Sequence, residues 1–163
     1  MKMWALIPPK KEKPEISLLV AEIMTRNVIT AAPDTSIADV AKLMRDKNIG
    51  SVVVLENGRI AGIVTERDIV TRYVANPMGR RPEEVITGDI MTRNPITIRD
   101  NIDVMEAAKI MAERNIRRLI VVNSKGEIVG IVSSRDIMRI APHIVFITSE
   151  KLRQARQRTG WAP

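Results

Sequence analysis

The sequence contains no cysteine and a single histidine, His143. A disulfide framework, a thiolate metal site and Cys–His nucleophile chemistry are therefore excluded, and zinc sites or Ser-His-Asp triads have almost nothing to draw on. Aromatic residues are as scarce: Trp4, Tyr73, Phe146 and Trp161 are the whole complement of 163 residues. The core must be assembled from Val, Ile, Ala and Met, which suits buried strands and thin helices. No apolar run approaches the roughly 20 residues that span a bilayer. Met1–Ile7 is too short, and too soon followed by Pro8 and Pro9, for a secretion signal. A Gly-rich phosphate loop and a carboxylate cluster of the hydrolytic or two-metal kind are also missing. These absences point to a cytoplasmic protein with no membrane partner, no metal, no catalytic residues and no catalytic cofactor.

The formal charge is +7, and most of it lies at the ends. Residues 1–15 carry Lys2, Lys10, Lys11 and Lys13 against Glu12 and Glu15, a net +2, and residues 149–163 carry Lys151, Arg153, Arg156 and Arg158 against Glu150, a net +3. That leaves +2 for the middle of the chain. Basic tails suit a phosphate-rich partner, so a nucleic-acid-binding protein is the competing reading; a solvated end is the plainer one. Ser149–Arg158 is expected to form a short, exposed basic helix capped by Ser149.

An internal repeat governs the rest. Met24-Thr25-Arg26-Asn27 recurs as Met91-Thr92-Arg93-Asn94, Ala41-Lys42 as Ala108-Lys109, and Asn48-Ile49 as Asn115-Ile116, all at an offset of 67. One extra residue in the second turn makes the offset 68, which pairs Gly62-Ile63-Val64-Thr65-Glu66-Arg67-Asp68-Ile69 with Gly130-Ile131-Val132-Ser133-Ser134-Arg135-Asp136-Ile137. In each copy a short extended piece ends at Thr30 or Ile98 and polar cap residues follow, Asp34-Thr35-Ser36 or Asp100-Asn101. Ile37, Val40, Ala41 and Met44, matched by Val104, Ala107, Ala108 and Met111, form one apolar helical stripe. Val52–Leu55 and Leu119–Val122 read as strands buried on both faces. Each is joined by a Gly-containing turn to a second strand, and a second helix begins near Glu66 or Ser134. The fold class is α+β: β-α-β-β-α twice, packed sheet to sheet about a pseudo-two-fold axis with two related clefts. The expected organisation is a flexible arm over 1–15, a first repeat over 16–75 led by a helix, an irregular linker over 76–88, a second repeat over 89–141 and a basic tail over 142–163.

The Gly-Ile-Val-Thr/Ser-x-Arg-Asp-Ile segments, with the openings Glu22-Ile23-Met24-Thr25 and Asp89-Ile90-Met91-Thr92, resemble the signature of CBS domains across roughly residues 17–140. The resemblance implies a Bateman module: a regulatory sensor, not an enzyme, that binds an adenosine ligand between its repeats. AMP leads ADP, ATP and S-adenosylmethionine as the expected ligand. It also implies a homodimer acting on an unidentified regulated protein; a dimerisation module with empty clefts is a further alternative.

Carried over position by position, the resemblance makes Asp68 and Asp136 acceptors for ribose hydroxyls, a task suited to a carboxylate with two acceptor oxygens. Thr65 and Ser133 would face ribose or phosphate at a helix start, where free N–H groups favour an anion. From spacing alone the same Thr/Ser-x-x-Asp segments are capping boxes, and the two roles are compatible. Thr25, Ile29, Thr30, Thr92, Ile96 and Thr97 would border the base, with core packing an equal alternative for the isoleucines. Arg117 and Arg118 enter the second repeat's buried strand where the first has Gly50 and Ser51. Arg118 is expected to touch phosphate bidentately, and the clefts are expected to be unequal. Arg67 and Arg135, just after the helix starts, could reach phosphate, though a solvated helix face is the favoured reading.

Overall fold

The computed structural model describes residues 18–76 and 79–159, so the arm over 1–15 lies outside the described residues. Among these, α1 (Val20–Ile23), β1 (Thr30–Ala31), α2 (Ile37–Lys47), β2 (Ser51–Glu56), β3 (Arg59–Thr65) and α3 (Glu66–Asp68) come from the first repeat. The second supplies α4 (Thr87–Ile90), β4 (Thr92–Arg93), β5 (Thr97–Arg99), α5 (Val104–Glu113), β6 (Arg118–Val122), β7 (Ile128–Ser133) and α6 (Ser134–Thr159). The fold is α+β, with one sheet ordered β1-β2-β3-β4 and another ordered β5-β6-β7.

Burial of both faces explains why Val52–Leu55 of β2 and Leu119–Val122 of β6 are continuously apolar. Val52 and Val54 face a helical core with Ile37, Val40 and Met44, whereas Val53 turns to the other side and meets Ile63 and Ile120 between the sheets. Leu119 and Val121 repeat the pattern against Val104, Ala107 and Met111. The expected stripe holds except at Ala41, which is exposed, while the partly buried Leu43 packs on the core in its place. The caps of α2 and α5 are Ser36, whose Oγ accepts from Asp39 N–H, and Asp103, whose Oδ1 accepts from Met105 N–H. Asp103 stands one offset of 67 after Ser36, so the second cap falls three residues later than Asp100.

The leading segments are exchanged. Val20 of α1 and Met24, which follows it, are buried in the second repeat's core, and Ile90 of α4 and the following Met91 in the first's. β4 joins the first sheet beside β3, and its counterpart Thr25 bridges to Ile131 of β7. Thr87, fully buried, donates from Oγ1 to the Thr35 carbonyl at 2.6 Å. Thr87–Ile90 turns the end of the expected linker into helix because its N–H groups meet carbonyls of the first repeat there: Thr87 N–H donates to Thr35 and Gly88 N–H to Pro33, both at 2.8 Å.

Two helical details differ from expectation. The chain after α3 winds as a π-helix over Ile69–Val74, where Thr71 Oγ1 donates to the Arg67 carbonyl and competes for a main-chain acceptor. α6 runs without a break through Ser149, so Ser149 is not a cap. Its Oγ donates to the Phe146 carbonyl at 2.7 Å, and no glycine interrupts residues 134–159.

Gly62 carries the exchanged packing: a Cβ there would lie 2.8 Å from the Thr92 carbonyl oxygen and 2.6 Å from Met91 sulfur. The backbone contact cannot swing away, so Gly62→Ala is expected to cost about 1–3 kcal/mol by overpacking. Urea unfolding checks this, and wild-type stability in the variant would contradict the placement of Met91 and Thr92.

Candidate functional site

Two clefts open between the sheets, each built from the end of one repeat and the beginning of the other. The first, about 300 Å³, joins Thr65, Arg67 and Asp68 to Thr92, Asn94, Ile96, Asn115, Arg117 and Arg118. The second, about 230 Å³, joins Ser133, Arg135, Asp136 and Arg139 to Thr25, Asn27, Ile29, Asn48 and Ser51, and Arg118 lines it as well. The first lies at the lower end of the roughly 300–1,000 Å³ range of small-molecule pockets, and the second just below it.

Each carboxylate is fixed by the turn that starts its helix. Asp68 Oδ2 accepts from Thr65 N–H at 2.9 Å and from Thr65 Oγ1 at 2.6 Å, while Thr65 Oγ1 accepts from Asp68 N–H at 3.2 Å. Asp136 repeats this with Ser133 at 2.8, 2.6 and 3.3 Å. The capping box is therefore present in both copies, and it orients the acid by spending one oxygen while the side chain stays on the cleft wall.

The copies part at the other oxygen. Arg72 Nε lies 3.4 Å from Asp68 Oδ1, and its Nη1 and Nη2 donate to the Ile90 carbonyl at 2.8 Å and Thr92 Oγ1 at 3.1 Å. Asp68 is 9% exposed under this clamp. The position equivalent to Arg72 in the second repeat is Ile140, and the hydrogen bonds that described residues make to the Asp136 carboxylate fall on Oδ2 alone.

Arg118 is half-buried. Burial lowers its pKa from the usual value, Glu66 beside it works against the fall, and Arg117 and Arg135 add to it. The charge absent at Ser51 is thus supplied from the opposite repeat. Gly50 contributes space: a Cβ there would collide with Arg118 Nη2. Thr30 and Thr97 line neither cleft. They follow Ile29 and Ile96, and alternation along an extended chain turns successive side chains apart.

Sequence reasoning passed over the asparagines and Arg72. Asn48, Asn94 and Asn115 adopt φ of 52°, 49° and 51°, a left-handed conformation that asparagine tolerates. Asn48 caps the end of α2 and Asn115 follows the Arg114 cap of α5, so the two line opposite clefts at matching points. The recurrence of Asn48-Ile49 as Asn115-Ile116 was the signal for them. Arg72 has no such signal, since its counterpart is an isoleucine. Among the described residues no group of His, Cys, Asp or Glu could hold a metal ion, and no helix is long and apolar enough to cross a membrane.

Two α+β repeats that trade their leading segments, and so enclose two pseudo-equivalent clefts, define a paired module. The chain belongs to the CBS domain family, whose model matches residues 20–75 and 87–143. It is 38% identical over 142 residues to an uncharacterized protein of Methanopyrus kandleri, covering 86% of this chain and 71% of that one. Among solved structures it is similar to a CBS domain pair in complex with 5′-methylthioadenosine and S-adenosyl-L-methionine, at TM-score 0.69 and 32% identity over 77% of this chain and 96% of that one. It is also similar to CBSX2 in complex with AMP, at TM-score 0.65 and 27% identity over 77% of this chain and 97% of that one.

Because Asp68 also holds Arg72, Asp68→Ala should destabilise the ligand-free protein more than Asp136→Ala does. A partly exposed ion pair of this kind is worth about 0.2–1 kcal/mol, and urea unfolding of both variants measures the difference. Equal losses would mean that the Arg72 clamp contributes nothing.

Proposed function

We propose that the protein is a regulatory sensor that binds an adenine nucleotide, AMP first among AMP, ADP and ATP, in its two clefts and passes ligand state to a partner protein. The observation that carries this reading is a preoriented carboxylate, fixed by its own capping hydroxyl, on the wall of a cleft that also holds arginines. In the second cleft Asp136 Oδ1 is directed to the ribose diol, and Arg118, Arg135 and Arg139 supply cations for phosphate. Ile29, Val28 and Ile131 offer apolar surface to a base. The first cleft offers Asp68, whose Oδ1 is shared with Arg72, beside Ile96 and Ile120 and with Arg67, Arg117 and Arg118. Complexes of similar CBS pairs with AMP and with 5′-methylthioadenosine and S-adenosyl-L-methionine support the ligand class.

The same reading takes the protein as a cytoplasmic homodimer. Val70 and Val74 on the terminal helix of the first repeat, and Met138, Val145 and Phe146 on that of the second, are large exposed apolar side chains, a pattern that suits a self-association surface. Replacing Met138 and Phe146 together by Glu should convert dimer to monomer in sedimentation equilibrium; an unchanged species would reject this surface.

The ligand reading is tested by melting. Free AMP at a hundred times its Kd stabilises by about 2.7 kcal/mol, a rise of roughly 5–10 °C for a chain of this size. The rise should vanish in the Asp68→Ala, Asp136→Ala double variant. A wild-type melting temperature that ignores AMP, ADP and ATP at millimolar concentration would reject the reading. Salt-dependent binding to nucleic acid, lost on deleting residues 149–163, would instead favour the basic tail as the working surface.

A further inference from the structure

We infer that Arg118 is a single cation shared by the two clefts, so that a phosphate held in one weakens the binding of a phosphate in the other. This rests on the nucleotide reading above. Arg118 opens β6 among Ile116, Arg117 and Ile120, which line the first cleft, and pairs across the sheet with Ser133, which lines the second. Arg118 itself lines both clefts. It crosses at Gly50, where a Cβ would strike Nη2 and would lie 2.7 Å from the Glu66 carboxylate. Gly50 is held in place by its own carbonyl, which accepts from Glu66 N–H at 3.2 Å. The missing Cβ is therefore the gap through which the arginine passes from one repeat to the other.

The duplication supplies only one such group. The position equivalent to Arg118 in the first repeat is Ser51, so a site that symmetry would furnish with two arginines has one. Arginine remains protonated at neutral pH, and Glu66, Arg117, Arg135 and Asp136 are the charges that act on it. A phosphate in either cleft would take over from Glu66 as its partner. A bidentate grip aligns the guanidinium fork with one phosphate. The second phosphate is then left with Arg67 and Arg117 in the first cleft, or Arg135 and Arg139 in the second. The coupling is reciprocal, because each ligand must disfavour the other by the same factor.

Calorimetric titration of the full chain with AMP and with adenosine tests this, using wild type together with Asp68→Ala and Asp136→Ala, each of which leaves one cleft. Each cleft alone is expected to bind AMP about tenfold more tightly than it does once the other is filled. Adenosine, which has no phosphate, should show no such difference. In Arg118→Met the difference for AMP should fall to about twofold or less. Gly50→Ala keeps the arginine but fills its crossing point, so it should reduce the difference too, and it serves in place of Arg118→Met if that variant does not fold. Independent clefts in wild type, tighter binding of the second AMP, or the same difference for adenosine would overturn the inference. So would a difference that survives both substitutions and shrinks with salt, which is direct repulsion between phosphates. If wild type binds neither AMP nor adenosine, the nucleotide reading itself fails and takes this inference with it; binding without coupling removes only the inference.

Discussion

The exchange of leading segments is made by main-chain hydrogen bonds that come in matched pairs. Val20 N–H donates to the Ile102 carbonyl at 2.9 Å, and Thr87 N–H, its equivalent, to Thr35 at 2.8 Å. Val104 N–H donates to Leu18 at 2.8 Å, and Ile37 N–H to Val85 at 2.9 Å. Two of these donors, Ile37 and Val104, are first residues of α2 and α5, whose N–H groups have no intrahelical partner. A helix start that would otherwise need water or a side chain is instead closed by the leader of the other repeat. The arrangement also extends both cores: each gains buried apolar residues from the other repeat's leader, Val20 and Met24 or Ile90 and Met91. A unit of about 55 residues buries too little surface to be comfortable alone, and the exchange makes the two units one folding entity.

The clefts are a by-product of the same exchange. The leader that fills a neighbour's core continues into an extended segment, and that segment has to pass the end of the neighbour's last strand. Thr92–Ile96 therefore runs beside Thr65 and Asp68, and Thr25–Ile29 beside Ser133 and Asp136. Neither cleft belongs to one repeat. Any ligand that touches both walls reads the relative position of the two repeats, which is the physical basis on which the proposed sensor would convert occupancy into a change that a partner can detect.

Most of the fold was legible because it depends on local periodicity that occurs twice. The buried strands, the helix stripes and the Thr/Ser-x-x-Asp turns needed only alternation, spacing and cap chemistry, and the repetition removed the ambiguity that short apolar runs carry. The exchange was not legible, since Val20 and Ile90 look the same whichever core receives them. The π-helical turn and the continuity of α6 through Ser149 were missed for a related reason: both are settled by how individual hydroxyls satisfy carbonyls nearby. At the clefts, spacing alone gave the acids and their hydroxyls as capping boxes, the family resemblance turned them into candidate ligand contacts, and residue type drew attention to the arginines that enter β6. Arg72 was not, because its partners Ile90 and Thr92 lie 18 and 20 positions away. Nor was the reach of Arg118, which depends on what Gly50 lacks.

The two copies also serve as each other's comparison within one chain. Where they agree, around the clefts, they agree in a carboxylate with its capping hydroxyl, in an asparagine that ends a helix, and in an isoleucine that precedes a strand. These groups address a neutral polyol and a flat apolar surface. The differences fall on charge: Arg72 against Ile140, Arg117 and Arg118 against Gly50 and Ser51, Arg139 against Thr71, and Glu66 against Ser134. Geometry inherited by duplication gives two equivalent places for a sugar and a base, while the cations and the anion around them are unequal. Under the proposed function, discrimination between clefts, and between ligands that differ in phosphate charge, must then come from those few unequal positions. The backbone that holds them is the same on both sides.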